Sequence, residues 1–590
     1  MAALLIATIF LPVAGAILAA GSRERVRQSA LMTAIFTLGM TAVLVACYPG
    51  GTDAFASVDL PWLGGGHSPV DVRLSLGLDG LSVWLFALSA LLILVAVLVS
   101  WESVAERAST FYRLLLLLET GLLGVFVARD IILFFLFFEF TLIPLFFLIG
   151  IWGYEERRYA AIKFFLFTMA GSVLTFLGLL AIVLWDYYHS PSGRMTFSIP
   201  ELTAGLALWP MEPGLQVAVF LALFAGFAIK VPLFPLHTWL PLAHVQAPTA
   251  GSVILAGVLL KVGTYGFARF ALPMTPDAVV LSMPWLLWLS VAGILYGALV
   301  ALAQKDIKRL IAYSSVSHLG FCMLGVFAIS RLGMQGGVLQ MVNHGLATGG
   351  LFAVVGMLYE RFHTRQIADF GGLARKLPRL ATFMLILTLS SIGLPGLNGF
   401  VGEFLLLLGM FQRGWADAPV ELAGQYRVIA VLAVLGVVLG AWYMLQLVEK
   451  VFFGPTRVPG HGAGQAEGDP PVRDLSVREV LALAPLVVFI FWIGLQPRFF
   501  LDRMDPTLNQ LVAPAAESFA RYHAGQRTGV TAMKKDAETR RGAGEEGSRG
   551  GEETRRVSHA GGARFLPTPL LPSSLPPLLH SPTPPPPPES

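Results

Sequence analysis

Residues 230–263 read KVPLFPLHTWLPLAHVQAPTAGSVILAGVLLKVG. Two lysines, Lys230 and Lys261, sit here in an otherwise apolar setting, and three prolines, Pro232, Pro235 and Pro241, follow the first of them. Proline inside a helix removes a backbone hydrogen bond and interrupts the helix. In a bilayer such an interruption is tolerated only where the freed groups face protein or a wet cavity. Residues 391–404, SIGLPGLNGFVGEF, repeat the pattern, with Pro395 among glycines and Glu403 just beyond. Broken helices at corresponding places in two halves of a chain point to an inverted repeat around a transport site. The two breaks fall on the seventh and twelfth apolar runs, and an odd offset reverses direction across the membrane. The reading is an all-α polytopic membrane protein of about 14 transmembrane helices, with two inverted five-helix repeats that each contain a broken helix. The expected divisions are a three-helix segment 1–110, repeats 111–272 and 273–452, and a last span with its preceding loop, 453–497. A polar, then proline-rich tail, 498–590, is expected to be disordered.

Composition supports this outline. Of 590 residues, 55% are hydrophobic and 13% charged, whereas an ordinary soluble domain is about 25% charged. That deficit excludes a soluble globular enzyme. The apolar runs are continuous rather than alternating, which favours spanning helices over a β-barrel. Arg23, Arg25 and Arg27 follow the first run instead of preceding it, the reverse of a secretory signal, so the run reads as a span that stays. With the amino end outside, alternating the spans places about 20 Lys and Arg inside and about 7 outside, as cytoplasmic loops require. The net charge of +4 follows from those loops and gives no reason to invoke nucleic acid. Two cysteines, Cys47 and Cys322, are too few for an iron–sulfur cluster, which takes about four thiolates. Neither a haem attachment motif nor a nucleotide-binding glycine motif is present.

The informative residues are ionisable groups inside apolar runs: Glu139, Lys230, Lys261, His318, His344 and Glu403. A charged side chain at a helix centre costs about 2.5–3.5 kcal/mol on insertion scales. Packing gives no reason to carry four such groups. A buried Glu–Lys pair can lock helices together, which is the competing, purely structural reading. The functional reading is proton transfer. Burial disfavours an ammonium and a nearby carboxylate favours it, so a lysine whose partner approaches or withdraws stores and releases a proton. Histidine adds a relay group that titrates near neutrality. Glu119, His237 and His244 form a secondary set, the histidines lining an access path behind the first break.

These residues carry a family resemblance. The 230–263 stretch, KDIKRLIAYSSVSHLGF, MVNHGLATGGLFAVVGMLYER and SIGLPGLNGFVGEFLLL resemble the antiporter-like subunits of respiratory complex I and of Mrp-type cation/proton antiporters. Within that family the chain is most similar to the M-type (mitochondrial subunit 4 type) branch, because Glu403 stands where other branches usually hold lysine. The resemblance covers about residues 1–497; the tail departs from it. It implies a proton-translocating subunit of NADH:quinone oxidoreductase. Glu139 would partner the switching Lys230, Lys261 would be central, His318 and His344 would bridge, and Glu403 would be terminal. It further implies no cofactor or metal in this chain, with NADH, FMN, iron–sulfur clusters and quinone on partner subunits. L-type and N-type chains would be neighbours in a bacterial inner membrane, with the amino end periplasmic. The alternatives are an Mrp-type sodium/proton antiporter subunit and a homologous subunit of a membrane-bound hydrogenase.

Overall fold

The computed structural model describes residues 1–64, 69–457, 459 and 472–549, of which 420 and 525–549 as backbone only. Among them, 11 helices are long and apolar enough to cross a membrane. Reaching about 14 spans means adding the shorter apolar helices Ala2–Leu18, Val83–Val99 and Pro378–Ser391. Thr249–Met274 and Arg331–Phe362 are buried along their whole apolar windows, and Ile307–Phe327 nearly so. A helix apolar on all sides belongs in an interior, and these three form the centre. The outer helices Arg23–Cys47, Arg157–His189 and Glu421–Phe452 turn Phe36, Leu166, Leu177, Val431 and Val438 outward, as lipid contact requires.

Both predicted breaks are present. Pro213–Lys230 stops at Lys230, and Trp239–Gln246 resumes after a turn that holds Pro232 and Pro235. Pro378–Ser391 stops before Gly393, and Asn398–Trp415 resumes beyond Gly396. The second break is stitched by side chains. Ser390 Oγ donates to Asn398 Oδ1 at 2.6 Å, and Asn343 Nδ2 donates to the Asn398 carbonyl at 2.8 Å. These bonds satisfy polar groups that lipid would leave unpaired.

The helix carrying Lys230 lies close against Arg157–His189. A Cβ on Gly226 would overlap Thr175 Oγ1 and the Gly171 carbonyl, and small residues are what allow such contact between membrane helices. Gly226→Ala is therefore expected to destabilise the chain by about 1–3 kcal/mol through overpacking. A lowered melting midpoint of the assembled protein would show it. An unchanged midpoint would mean that the two helices part freely.

The last span is anchored by charge. Arg361 Nη1 and Nη2 donate to the two oxygens of Glu479 at 2.7 and 2.8 Å, and Glu479 also closes a capping box with Ser476. Removing one partner of a largely buried, bidentate pair costs about 3–5 kcal/mol, because the other is left uncompensated. Arg361→Met should loosen Val477–Leu495, read as faster proteolysis after residue 457. Arg361→Met combined with Glu479→Met should recover much of the loss. Equal damage in the single and double variants would show that the pair itself contributes little.

Three features correct the sequence reading. The chain is not purely helical: Phe55–Gly64 pairs antiparallel with Val70–Leu78, which pairs parallel with Met195–Thr196. The alternation in VDVRLSLGL is a strand signal that the surrounding helices obscured. Asp130 ties this sheet to the helices. Its Oδ1 accepts the Ile132 and Leu133 amides at 2.8 and 3.2 Å, and its Oδ2 accepts the Arg73 amide at 3.0 Å. Burial pushes the Asp130 carboxyl up to about 6, against the pull of those three donors. Second, Ile199–Leu208 is a short helix between spans. Third, the expected tail is ordered at its start. From Arg498 the chain is helical, and Phe500, Met504, Leu508, Leu511, Ala515 and Phe519 are buried on one face. Their spacing is helical, but Pro506 and Pro514 lie inside the run. Met1–His523 form one unit and Ala524–Ser590 a second, whose described backbone is helical to Arg549. The proline-rich stretch expected to be disordered, 567–590, lies outside the described residues.

Candidate functional site

Lys261 stands between two π-helical turns, Leu255–Leu259 and Phe267–Ala271. Such turns are rare and frequent at functional positions. The side chain is fully buried. Its ammonium nitrogen donates to the Ala256 carbonyl and lies 2.6 Å from His344 Nδ1. The His344 ring, on Arg331–Phe362, has its centroid 5.6 Å from that of His318 on Ile307–Phe327. His318 Nε2 is 3.2 Å from Ser391 Oγ at the rim of the second break, and its Nδ1 is 3.7 Å from Glu403 Oε1. Glu403 accepts from Gln340 Nε2 at 3.1 Å. A cavity of ≈ 10 Å³ opens between His318, His344, Gln340, Asn343 and Ser391, about the room one water needs. Four of the six principal residues thus form one line on four helices. Gly393 permits its end: φ is +71°, and a Cβ there would overlap Glu403 Oε2.

The other two principal residues form a separate group. Lys230 is buried at the mouth of the first break, and its Nζ has no hydrogen-bond partner. It lies over the Phe138 ring at 4.3 Å. Glu139, on the next residue, is within electrostatic reach of that ammonium, yet the two form no hydrogen bond or ion pair. Sequence spacing cannot supply this separation. Glu119 is fully buried with both carboxyl oxygens unpartnered. His244 is stacked on Phe352 at 4.5 Å, with neither ring nitrogen bonded. His237 packs against Phe234 and Tyr296.

Several residues in or near the candidate site are not marked by the sequence reading. Gln340, Asn343 and Ser391 carry no charge to mark them in an apolar run. Lys308 is one of the roughly 20 Lys and Arg that the alternation of spans places inside. In the fold it is 4% exposed, donates to the Ala247 carbonyl at 2.6 Å and lies 4.9 Å from the Tyr154 ring. It thereby binds the end of the second half of the first broken helix, where a cation meets the negative end of the helix dipole. Its position two residues after Asp306, the N-cap, is not a pattern that signals burial. Among the described residues, no group of three or more His, Cys, Asp or Glu could hold a metal ion.

Comparison with known proteins agrees with this architecture. Residues 128–420 match the family described as NADH:quinone oxidoreductase/Mrp antiporter, transmembrane. NADH-quinone oxidoreductase subunit M of Rhodobacter capsulatus is 40% identical over 514 residues, covering 85% of this chain and 95% of that one. NADH-ubiquinone oxidoreductase chain 4 of Arabidopsis thaliana is 37% identical over 511 residues, covering 85% and 96%. A chain of respiratory complex I from Thermus thermophilus superposes with a TM-score of 0.73 at 36% identity, covering 87% of this chain and 99% of that one. On this likeness, carried through nearly the full length of each relative, the chain belongs to the subunit M family of NADH:quinone oxidoreductases, within the wider NADH:quinone oxidoreductase/Mrp antiporter group of membrane proteins.

Proposed function

We propose that this chain translocates protons as a membrane-arm subunit of an NADH:quinone oxidoreductase, driven by quinone reduction on other chains. The observation that carries this reading is the buried line Lys261–His344–His318–Glu403, spaced at 2.6 Å, 5.6 Å between the two ring centroids and 3.7 Å, with room for one water beside the histidines; in this reading protons pass along it. Each group on it is costly in an apolar interior. Lys230 is poised for the switching role, since it is buried, unbonded and within reach of Glu139. Glu119, His237 and His244 serve as auxiliary groups. In this reading the chain's part in the enzyme is translocation alone. NADH, FMN, iron–sulfur clusters and quinone are bound by partner subunits, the flanking chains are of the L and N types, and the amino end lies on the periplasmic side of a bacterial inner membrane. Residues 111–272 and 273–452 act as two oppositely oriented repeats, one per break.

The test is to purify the native complex through this chain in mild detergent, identify its partners and assay NADH–quinone turnover. Flavin and iron–sulfur chains with NADH oxidation are expected. Iron–sulfur chains without NADH oxidation would place the chain in a hydrogenase-like complex. Antiporter chains alone would replace redox-driven pumping with cation/proton exchange.

A further inference from the structure

Away from the proposed proton line, a cavity of ≈ 330 Å³ lies between Thr52 and Asp79, which precede and follow the strand pair, the Ala128–Arg129 turn, the Ile199–Leu208 helix and the helix beginning at Arg498. Two guanidinium groups line it, those of Arg129 and Arg269, and one carboxylate, that of Asp79. The carboxylate is already committed. Asp79 Oδ2 pairs with Arg269 Nη2 at 2.6 Å, and Oδ1 accepts the Leu81 and Ser82 amides, each at 3.1 Å. Arg269 also donates from Nε to Tyr265 Oη at 3.1 Å, which leaves Nη1 outside both bonds. Among the described residues, no carboxylate lies within ion-pair distance of Arg129, and its side chain makes no hydrogen bond. It packs instead on Gly77, where a Cβ would stand 3.0 Å from Arg129 Cδ. The cavity lining therefore holds two guanidinium groups to one carboxylate, and Arg129, which Asp79 and Asp59 reach only through longer-range attraction, has no directly bonded partner. Thr52 and Gln510, whose side chains carry hydrogen-bond donors, also line it, as do the apolar Ala207, Pro273 and Leu511.

We propose that this cavity binds an anion of the phosphate class. A guanidinium presents a planar fork that matches phosphate geometry, and the attraction is strongest where water is partly excluded. The apolar residues beside the charged ones suit a phosphate ester with an apolar chain attached, as in a phospholipid. Free phosphate presents the same oxygens to the same forks.

The experiment uses the intact purified complex with wild-type chain, Arg129→Gln and Arg129→Lys. In one arm each is held in phosphatidylcholine nanodiscs doped with phosphatidylglycerol, and retained phosphatidylglycerol is counted by native mass spectrometry. In the other, melting midpoints are compared in inorganic phosphate and in chloride at matched ionic strength. Wild type is expected to retain one phosphatidylglycerol more than Arg129→Gln, with Arg129→Lys restoring part of it. That result makes the occupant a headgroup. A phosphate-specific rise in midpoint in wild type and not in Arg129→Gln, without lipid retention, makes it free phosphate. Equal retention and equal midpoints in wild type and Arg129→Gln would overturn the proposal. Should Arg129→Gln fail to assemble, Gln510→Ala gives the same readout, with weakened retention or response expected and unchanged values overturning it.

Discussion

Replacing Lys230 with methionine is expected to abolish coupled proton pumping while leaving the chain at least as stable as before. The side chain is 1% exposed and its ammonium makes no hydrogen bond. Holding that charge over the Phe138 ring at the first break is a cost of about 2.5–3.5 kcal/mol on insertion scales. Methionine fills similar space without the charge. If Lys230 only cemented helices, the variant would lose stability and keep its turnover once assembled. If Lys230 stores and releases a proton, the assembled complex keeps its subunits and midpoint but loses pumping and NADH–quinone turnover by about tenfold or more, equivalent to 1.4 kcal/mol or more on the limiting barrier. The two measurements, subunit content and proton uptake per quinone reduced, move in opposite directions under the two accounts. Wild-type pumping in Lys230→Met would end the switching assignment.

Glu403→Gln is the second large effect. Glutamine preserves the side-chain volume that Gly393 makes room for, and it can still accept from Gln340. What it removes is the titratable carboxyl that the proposed path ends on, 3.7 Å from His318 Nδ1. Turnover coupled to pumping should again fall by about tenfold, with assembly intact. Glu403→Asp is the informative companion, because it keeps the titratable group but withdraws it from His318 and Gln340. An intermediate rate is expected. Glu403→Gln and Glu403→Asp falling equally would indicate that geometry, not proton exchange, was lost. Full activity in Glu403→Gln would remove Glu403 from the path.

How far the site could be read without the fold depends on the residue. Glu139, Lys230, Lys261, His318, His344 and Glu403 stand out as candidates without the fold, because an ionisable group in an apolar run is expensive wherever the helix is placed. Gln340, Asn343 and Ser391 do not, since neutral polar groups occur in membrane helices for ordinary packing reasons. The burial of Lys308 was not legible, because its sequence neighbours Lys305, Asp306 and Arg309 have the look of a loop, while the burial comes from Ala247 and Tyr154, 61 and 154 residues earlier in the chain. The strand pair at 55–78 and the ordered start of the last helix were hidden for related reasons. The first was masked by apolar helices on either side, the second by two internal prolines.

By itself, then, the sequence determined that this is a polytopic helical membrane protein with two interrupted helices and a set of buried acids and bases. Those conclusions rest on the free energy of transfer, which depends on composition along a run and not on what the run touches. Only the tertiary structure decided which of those groups meet. It joined Lys261, His344, His318 and Glu403 in one line and left Lys230 and Glu139 near each other but unbonded. It also gathered Arg129, Arg269 and Asp79 around a cavity. Contacts between residues on different helices depend on crossing position, helix rotation and π-turn register, all set by packing across the whole chain.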